Sequence, residues 1–239
     1  MKKTLTIVFW TLGLLGIGVL MSFADQGYDR VVWQGTEIRW PAEPQHHYIT
    51  TPELENLLEE IEPRDSSYRI REINTQLLEE KIENHPTIKQ SEVFSDMKGT
   101  LWLKVWQHQP IARIQKEDQS HYLLAQGGKM PLSPHYAADV PLISGRIPDS
   151  LRPQLARFCQ ARQNDSLFAG FFTGIHVRPD GHWILYPRVG DFKILLGHPQ
   201  NIPHKLRKLR VYYRRGLTRA KLHQLRTIDL RYGDQVICR

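Results

Sequence analysis

From Thr4 to Ala24 the chain shows no alternation at all: no charged residue interrupts an apolar run that includes Leu5, Phe9, Trp10, Leu14, Ile17 and Leu20. A helix rising about 1.5 Å per residue needs roughly 20 residues to cross about 30 Å of hydrocarbon, and this run is long enough. Lys2 and Lys3 precede it, which keeps the N-terminus in the cytoplasm and places everything beyond about Asp25 outside. A cleavable signal peptide is the competing reading, because Ser22-Phe23-Ala24 has a small-x-small form. The run exceeds the usual apolar core of about 7 to 15 residues for such peptides, so the pattern predicts a membrane anchor over residues 1–24. Both readings export the rest.

Past the anchor the period shortens. Arg30 to Trp40 has strand composition and ends at Pro41. Thr50-Thr51-Pro52-Glu53 combines a capping hydroxyl, an early proline and an early acid, predicting a helix to about Ile61 that Pro63-Arg64-Asp65-Ser66 breaks. A second helix fits Ile73 to Ile82, with Ile73, Leu77, Leu78 and Ile82 on one face, and His85-Pro86 stops it. Ile88 to Met97 and Thr100 to Trp106 read as strands. In the second, Leu101, Leu103 and Val105 alternate with Trp102, Lys104 and Trp106. Strand, helix, helix, strand, strand makes a small α+β domain over 25–110.

From Ile111 the texture changes to short strands at close spacing. They are Ile111–Gln115, His121–Gln126, Val140–Ser144, Gly174–Arg178, His182–Val189 and Phe192–Gly197, separated by turn-formers such as Gly127-Gly128 and Pro179-Asp180-Gly181. Two helices, near Pro148–Gln163 and Ile202–Arg215, interrupt them. Leu225–Tyr232 and Gln235–Cys238 close the chain around Gly233-Asp234. The expectation for 111–239 is a mainly antiparallel β domain with flanking helices, and for the whole chain an α+β fold behind one transmembrane helix.

Composition changes this picture little. The 239 residues are 41% hydrophobic and 24% charged, as in ordinary folded proteins. The formal charge of +7 is uneven, acidic between Glu53 and Glu83 and basic between Lys205 and Lys221. Export removes nucleic acid as the partner that a basic total would suggest. The basic stretch reads as an amphipathic helix with Leu206, Leu209 and Tyr213 inward and its charges in water, or as a patch for an acidic surface. Cys159 and Cys238 form no close pair for zinc or redox work, and two unpaired thiols are expected. The 11 histidines include the adjacent pair His46-His47 but no H-x-x-x-H or H-E-x-x-H, and there is no phosphate loop or G-x-S-x-G. No catalytic residue, metal, cofactor or small-molecule substrate is expected.

Residues 73 to 112 resemble the polypeptide-transport-associated (POTRA) domain of the FtsQ/DivIB family of cell division proteins. The resemblance rests on an amphipathic helix followed by His85-Pro86, Ile88, Val93, Leu101, Val105 and Pro110-Ile111-Ala112-Arg113. Gly128-Lys129-Met130-Pro131-Leu132, Val140 to Gly145 and Arg178 to Trp183 resemble landmarks of the family's β domain. Ile228-Asp229-Leu230-Arg231-Tyr232 resembles its closing strand. The family's acidic-basic pair before Pro-apolar-Ala is Gln107-His108 here.

The resemblance implies a non-enzymatic scaffold of the bacterial inner membrane at the division septum, binding FtsB- and FtsL-like coiled-coil membrane proteins and through them regulating cell-wall synthases. It places the contact at the last strands, over Asp229, Leu230, Arg231, Tyr232, Gln235, Val236 and Ile237. An edge strand suits that task, because its unpaired backbone groups accept a partner strand. Tyr232 would give a flat contact and Arg231 would pair with an acidic group of the partner. A secreted cell-wall hydrolase and a POTRA module of outer-membrane assembly machinery are the alternatives. The first requires a mature start at Asp25 and converging carboxylates, the second tandem copies or a barrel.

Overall fold

A computed structural model describes residues 9–18, 31–41, 47–59, 68–116, 119–163, 165–215 and 224–239. Residues 9–18 form a helix, α1, on which Phe9, Trp10, Leu14 and Ile17 are exposed. The rest of the expected span, Leu5 and Leu20 included, lies outside the described residues. Among the described residues no helix is long and apolar enough to cross a membrane. Ile61, the break at 63–66, His46, Arg219 and Lys221 also lie outside them.

The chain divides into two compact units, Met1–Gln107 and His108–Arg239. In the first, β1 (Gly35–Arg39) runs parallel to β3 (Thr100–Gln107), and β2 (Ile88–Ser95) pairs antiparallel on the other side of β3. The alternation of β3 places Leu101, Leu103 and Val105 in the core. They meet Leu54 and Leu58 of α2 (Thr51–Glu59) and Leu78 and Ile82 of α3 (Thr75–Glu83). α2 is held at its start by a reciprocal capping box: Thr50 N–H donates to Glu53 Oε2 at 2.9 Å, and Glu53 N–H to Thr50 Oγ1 at 3.4 Å. Asn74 caps α3 through Leu77 N–H. Leu77 itself is 45% exposed, a correction to the four-residue apolar face. Buried Leu78 and Ile82, four apart, define that face, and Leu77 sits about 100° round from its neighbour.

Asp96 organises the turn between β2 and β3. Its Oδ1 accepts from Lys98 and Thr100 N–H, and its Oδ2 from Trp102 Nε1–H at 3.1 Å. Gln107, standing where the resembled family has an acid, accepts from the backbone of Tyr48 at 2.7 Å and ties the segment before α2 to the sheet.

Among the described residues the second unit holds one nine-stranded sheet. Its strands are β4 (Ala112–Gln115), β5 (Ser120–Leu123), β6 (Lys129–Pro131), β7 (Leu142–Gly145), β8 (Phe172–Val177), β9 (Trp183–Pro187), β10 (Lys193–Gly197), β11 (Thr227–Asp229) and β12 (Ile237–Cys238). Their order is β12-β11-β10-β9-β8-β7-β4-β5-β6. Three neighbouring pairs are parallel (β4 with β7, β7 with β8, β10 with β11) and the other five antiparallel, so the sheet is mainly antiparallel as expected, but mixed. The parallel pairings arise where a long connection intervenes: α4 (Arg152–Gln163) lies between β7 and β8, and α5 (Ile202–Arg215) between β10 and β11. One row across the sheet, Ile114, Ile143, Ile175, Leu185, Ile194 and Ile228, is buried throughout, with Leu155, Phe158 and Leu209 of the two helices in the same core.

Candidate functional site at the C-terminal sheet edge

The sheet ends at β12. Ile237 pairs with Asp229 and Cys238 with Ile228, and Arg239 exchanges both backbone hydrogen bonds with Thr227 at 2.9 and 3.0 Å. Bonded and non-bonded pairs alternate along an antiparallel ladder, so the N–H and C=O of Cys238 point away from β11. Among the described residues no strand pairs with that outer side. The Cys238 side chain packs on the core and is hydrogen-bonded to Tyr212, whose hydroxyl burial and then the thiol push up to about 12.

The residues expected at this edge divide by environment. Leu230 is fully buried and points into the core, which removes it from any contact surface. Asp229 and Arg231 form a forked pair within the chain: Arg231 Nε donates to Asp229 Oδ1 at 2.9 Å and Nη2 to Oδ2 at 2.6 Å, while Arg231 N–H also reaches Oδ1 at 3.1 Å. Arg231 is therefore paired within the chain, with its side chain still 39% exposed. Burial pulls the Asp229 carboxyl up, but the Arg231 hydrogen bonds and charge outweigh it and leave it below its ordinary value. The same pairing raises Arg231.

Gly197, at φ 75° at the end of β10, permits this arrangement, since a Cβ there would lie 2.8 Å from Arg231 Cγ. Tyr232 is 48% exposed, with the guanidinium carbon of Arg231 5.9 Å from its ring centroid. Gln235 is exposed, and Val236 and Ile237 are half-buried, Val236 against the core.

Two groups at this edge were not expected there. Lys208 of α5 donates to the carbonyls of Leu230, Tyr232, Gly233 and Gln235, at 2.5 to 3.2 Å. Lys205, one turn earlier, donates to Leu196 and His198 at 2.8 and 2.7 Å. These two charges serve the backbone, a correction to a helix with all its charges in water; Leu209 is buried and Leu206 and Tyr213 are half-buried. Nothing in sequence links a lysine to a turn more than twenty residues on.

Elsewhere, burial pushes the Cys159 thiol up to about 12, which leaves almost no thiolate at neutral pH; both cysteines are free. Ser144 and His176 Nδ1 lie 3.0 Å apart on adjacent strands, and among the described residues no carboxylate is within hydrogen-bond distance of that ring. Asp180 accepts from His182 N–H across Gly181, as a turn aspartate does.

Comparison with known proteins places these elements. The Cell division protein FtsQ of Salinibacter ruber (strain DSM 13855 / M31) is 27% identical over 189 residues, covering 71% of each chain. A POTRA-like domain matches residues 34–106. The description "FtsQ/DivIB, C-terminal related" matches residues 109–239, β4 to the terminal edge and more than half of the chain. The chain belongs to the FtsQ/DivIB C-terminal related family.

Proposed function

We propose that this protein is a non-enzymatic scaffold of the bacterial division machinery. Residues 1–24 anchor it in the inner membrane with the N-terminus cytoplasmic, and 25–110 and 111–239 act outside at the septum. The POTRA-like domain takes part in recruitment. The second domain binds FtsB- and FtsL-like coiled-coil membrane proteins by strand addition to β12, and through them influences septal cell-wall synthesis. The observation that carries this reading is that, among the described residues, no strand covers the outer side of β12, with the exposed ring of Tyr232 beside it. Backbone pairing supplies affinity at such an edge and the neighbouring side chains supply selectivity. Asp229 and Arg231 present one internally neutralised fork, so an acidic partner group shares Arg231 with Asp229. Gln235, Val236 and Ile237 flank the added strand, and Leu230 supports it from below.

Full-length protein in detergent, titrated with the extracytoplasmic segment of its FtsB-type partner, tests this. Tyr232→Ala is expected to weaken binding by about thirtyfold, the equivalent of about 2 kcal/mol for a central aromatic anchor. Unchanged affinity overturns the reading.

A further inference from the structure

The turn that follows buried Leu230 carries Tyr232 and Gln235 to the edge, and very little packing holds residues 232–235. A Cβ added to Gly233 would meet nothing within 4 Å, and Tyr232, Gly233, Asp234 and Gln235 are all exposed. His204 Nε2 and Asp234 Oδ1 lie 3.1 Å apart, but their side chains are 47% and 94% exposed, so water screens that pair. The turn's carbonyls of Leu230, Tyr232, Gly233 and Gln235 instead converge on one point. Converging carbonyl dipoles repel one another unless a cation lies between them. The Lys208 ammonium occupies that point, its three N–H donors shared among four acceptors. Its stem leaves α5 one residue before fully buried Leu209, and Lys208 itself is half-buried.

We propose that Lys208 is a positioning residue for the partner-binding edge: its ammonium acts as a tethered cation inside a cage of backbone carbonyls and sets the shape in which Tyr232 and Gln235 are presented. The side chains that touch the partner face outward while the carbonyls they leave behind face Lys208, so the same turn cannot relax without moving Tyr232. Lys205 supplies an internal comparison. It is held by two carbonyls at the end of β10, Leu196 and His198, and makes no bond to the terminal turn.

This inference rests on the proposed binding role of the edge, and the experiment separates the two. Full-length wild type, Lys208→Met, Lys208→Ala and Lys205→Met are compared by amide hydrogen exchange and by affinity for the extracytoplasmic segment of the FtsB-type partner. Lys208→Met keeps the apolar stem and removes the cation. In it, exchange at Leu230, Arg231 and Ile237, whose bonded N–H groups flank the turn, is expected to rise at least tenfold and affinity to fall about tenfold, while exchange in β8 to β10 stays as in wild type. Lys205→Met leaves the terminal turn's exchange unchanged.

In Lys208→Ala, millimolar propylammonium, the missing part of the side chain, is expected to restore both readings. Wild-type exchange at Leu230, Arg231 and Ile237 in Lys208→Met overturns the proposal. So does wild-type affinity in a variant whose turn exchanges fast, and so does failure of propylammonium to restore a folded Lys208→Ala. Absence of binding by the wild type counts against the proposed function itself and is read independently of the exchange result.

Discussion

At the scale of single residues the edge is set by one ion pair. Asp229 is nearly buried on the last core strand, and a carboxylate there is tenable because Arg231, two residues on, returns a fork of hydrogen bonds. The folded value of the Asp229 carboxyl is below its ordinary one. Its stabilising contribution is therefore complete above the unfolded value of about 3.9 and is lost as pH falls through the folded value. Asp229→Asn is expected to melt at a lower temperature than wild type at pH 7, with the gap closing as both are taken from pH 5 towards pH 3. A gap that stays constant across that range would show that the charge is not what holds Arg231. The sequence made Asp229, Arg231 and Tyr232 visible as a group, but not their division of labour. Leu230 differs from them by facing the core, and Arg231 by having its acid in the same chain. Both facts depend on where the strand sits in the sheet.

Among elements, the legible ones were those whose pattern has a single solution. The alternation of β3 and the amphipathic stripe of α5 each admit one face, and α5 has the expected bounds, Ile202–Arg215. β6 was not expected as a strand, because three residues ending in Pro131 carry no period. Parallel pairing was missed for a related reason: period two says which face a residue takes and nothing of its neighbour's direction.

The pairing of α3 with β2 was equally invisible, and it has a consequence. The N–H groups of Ser91 and Val93 point away from β3, and they donate to Glu83 Oε1 at 2.8 Å and Glu79 Oε1 at 2.7 Å. Two carboxylates one helical turn apart thus occupy the outward donors of an edge strand, which keeps other strands off it. Bonds to charged acceptors contribute about 1.5 to 3 kcal/mol each when buried, and less at this partly exposed site. Glu79→Ala/Glu83→Ala is expected to lower unfolding free energy by about 1 to 3 kcal/mol. Sedimentation velocity should then show concentration-dependent association that wild type lacks. A stable, monomeric double variant would remove the guarding role.

For the whole molecule the question becomes which edge a partner can extend. Among the described residues the two sheets have four edges, β1, β2, β6 and β12; β2 has its outward donors filled by glutamates, and β6 presents Pro131, which has no N–H to give. β12 keeps an outward N–H and C=O at Cys238, beside the exposed Tyr232 and the turn caged by Lys208. Side-chain contact alone and backbone pairing predict different outcomes for one pair of substitutions. Cys238→Ala removes the thiol contact to Tyr212 and keeps the N–H, so partner affinity should fall by no more than a few-fold. Cys238→Pro removes the outward N–H while leaving the inner ladder of Thr227 and Arg239 its own donors. If the partner adds as a strand, the proline variant should retain wild-type exchange protection in β9 and β10 and lose binding by tenfold or more relative to Cys238→Ala. Equal affinity in the two folded variants would mean that the partner docks on side chains alone, and β12 would then be an edge that the family's contact passes over.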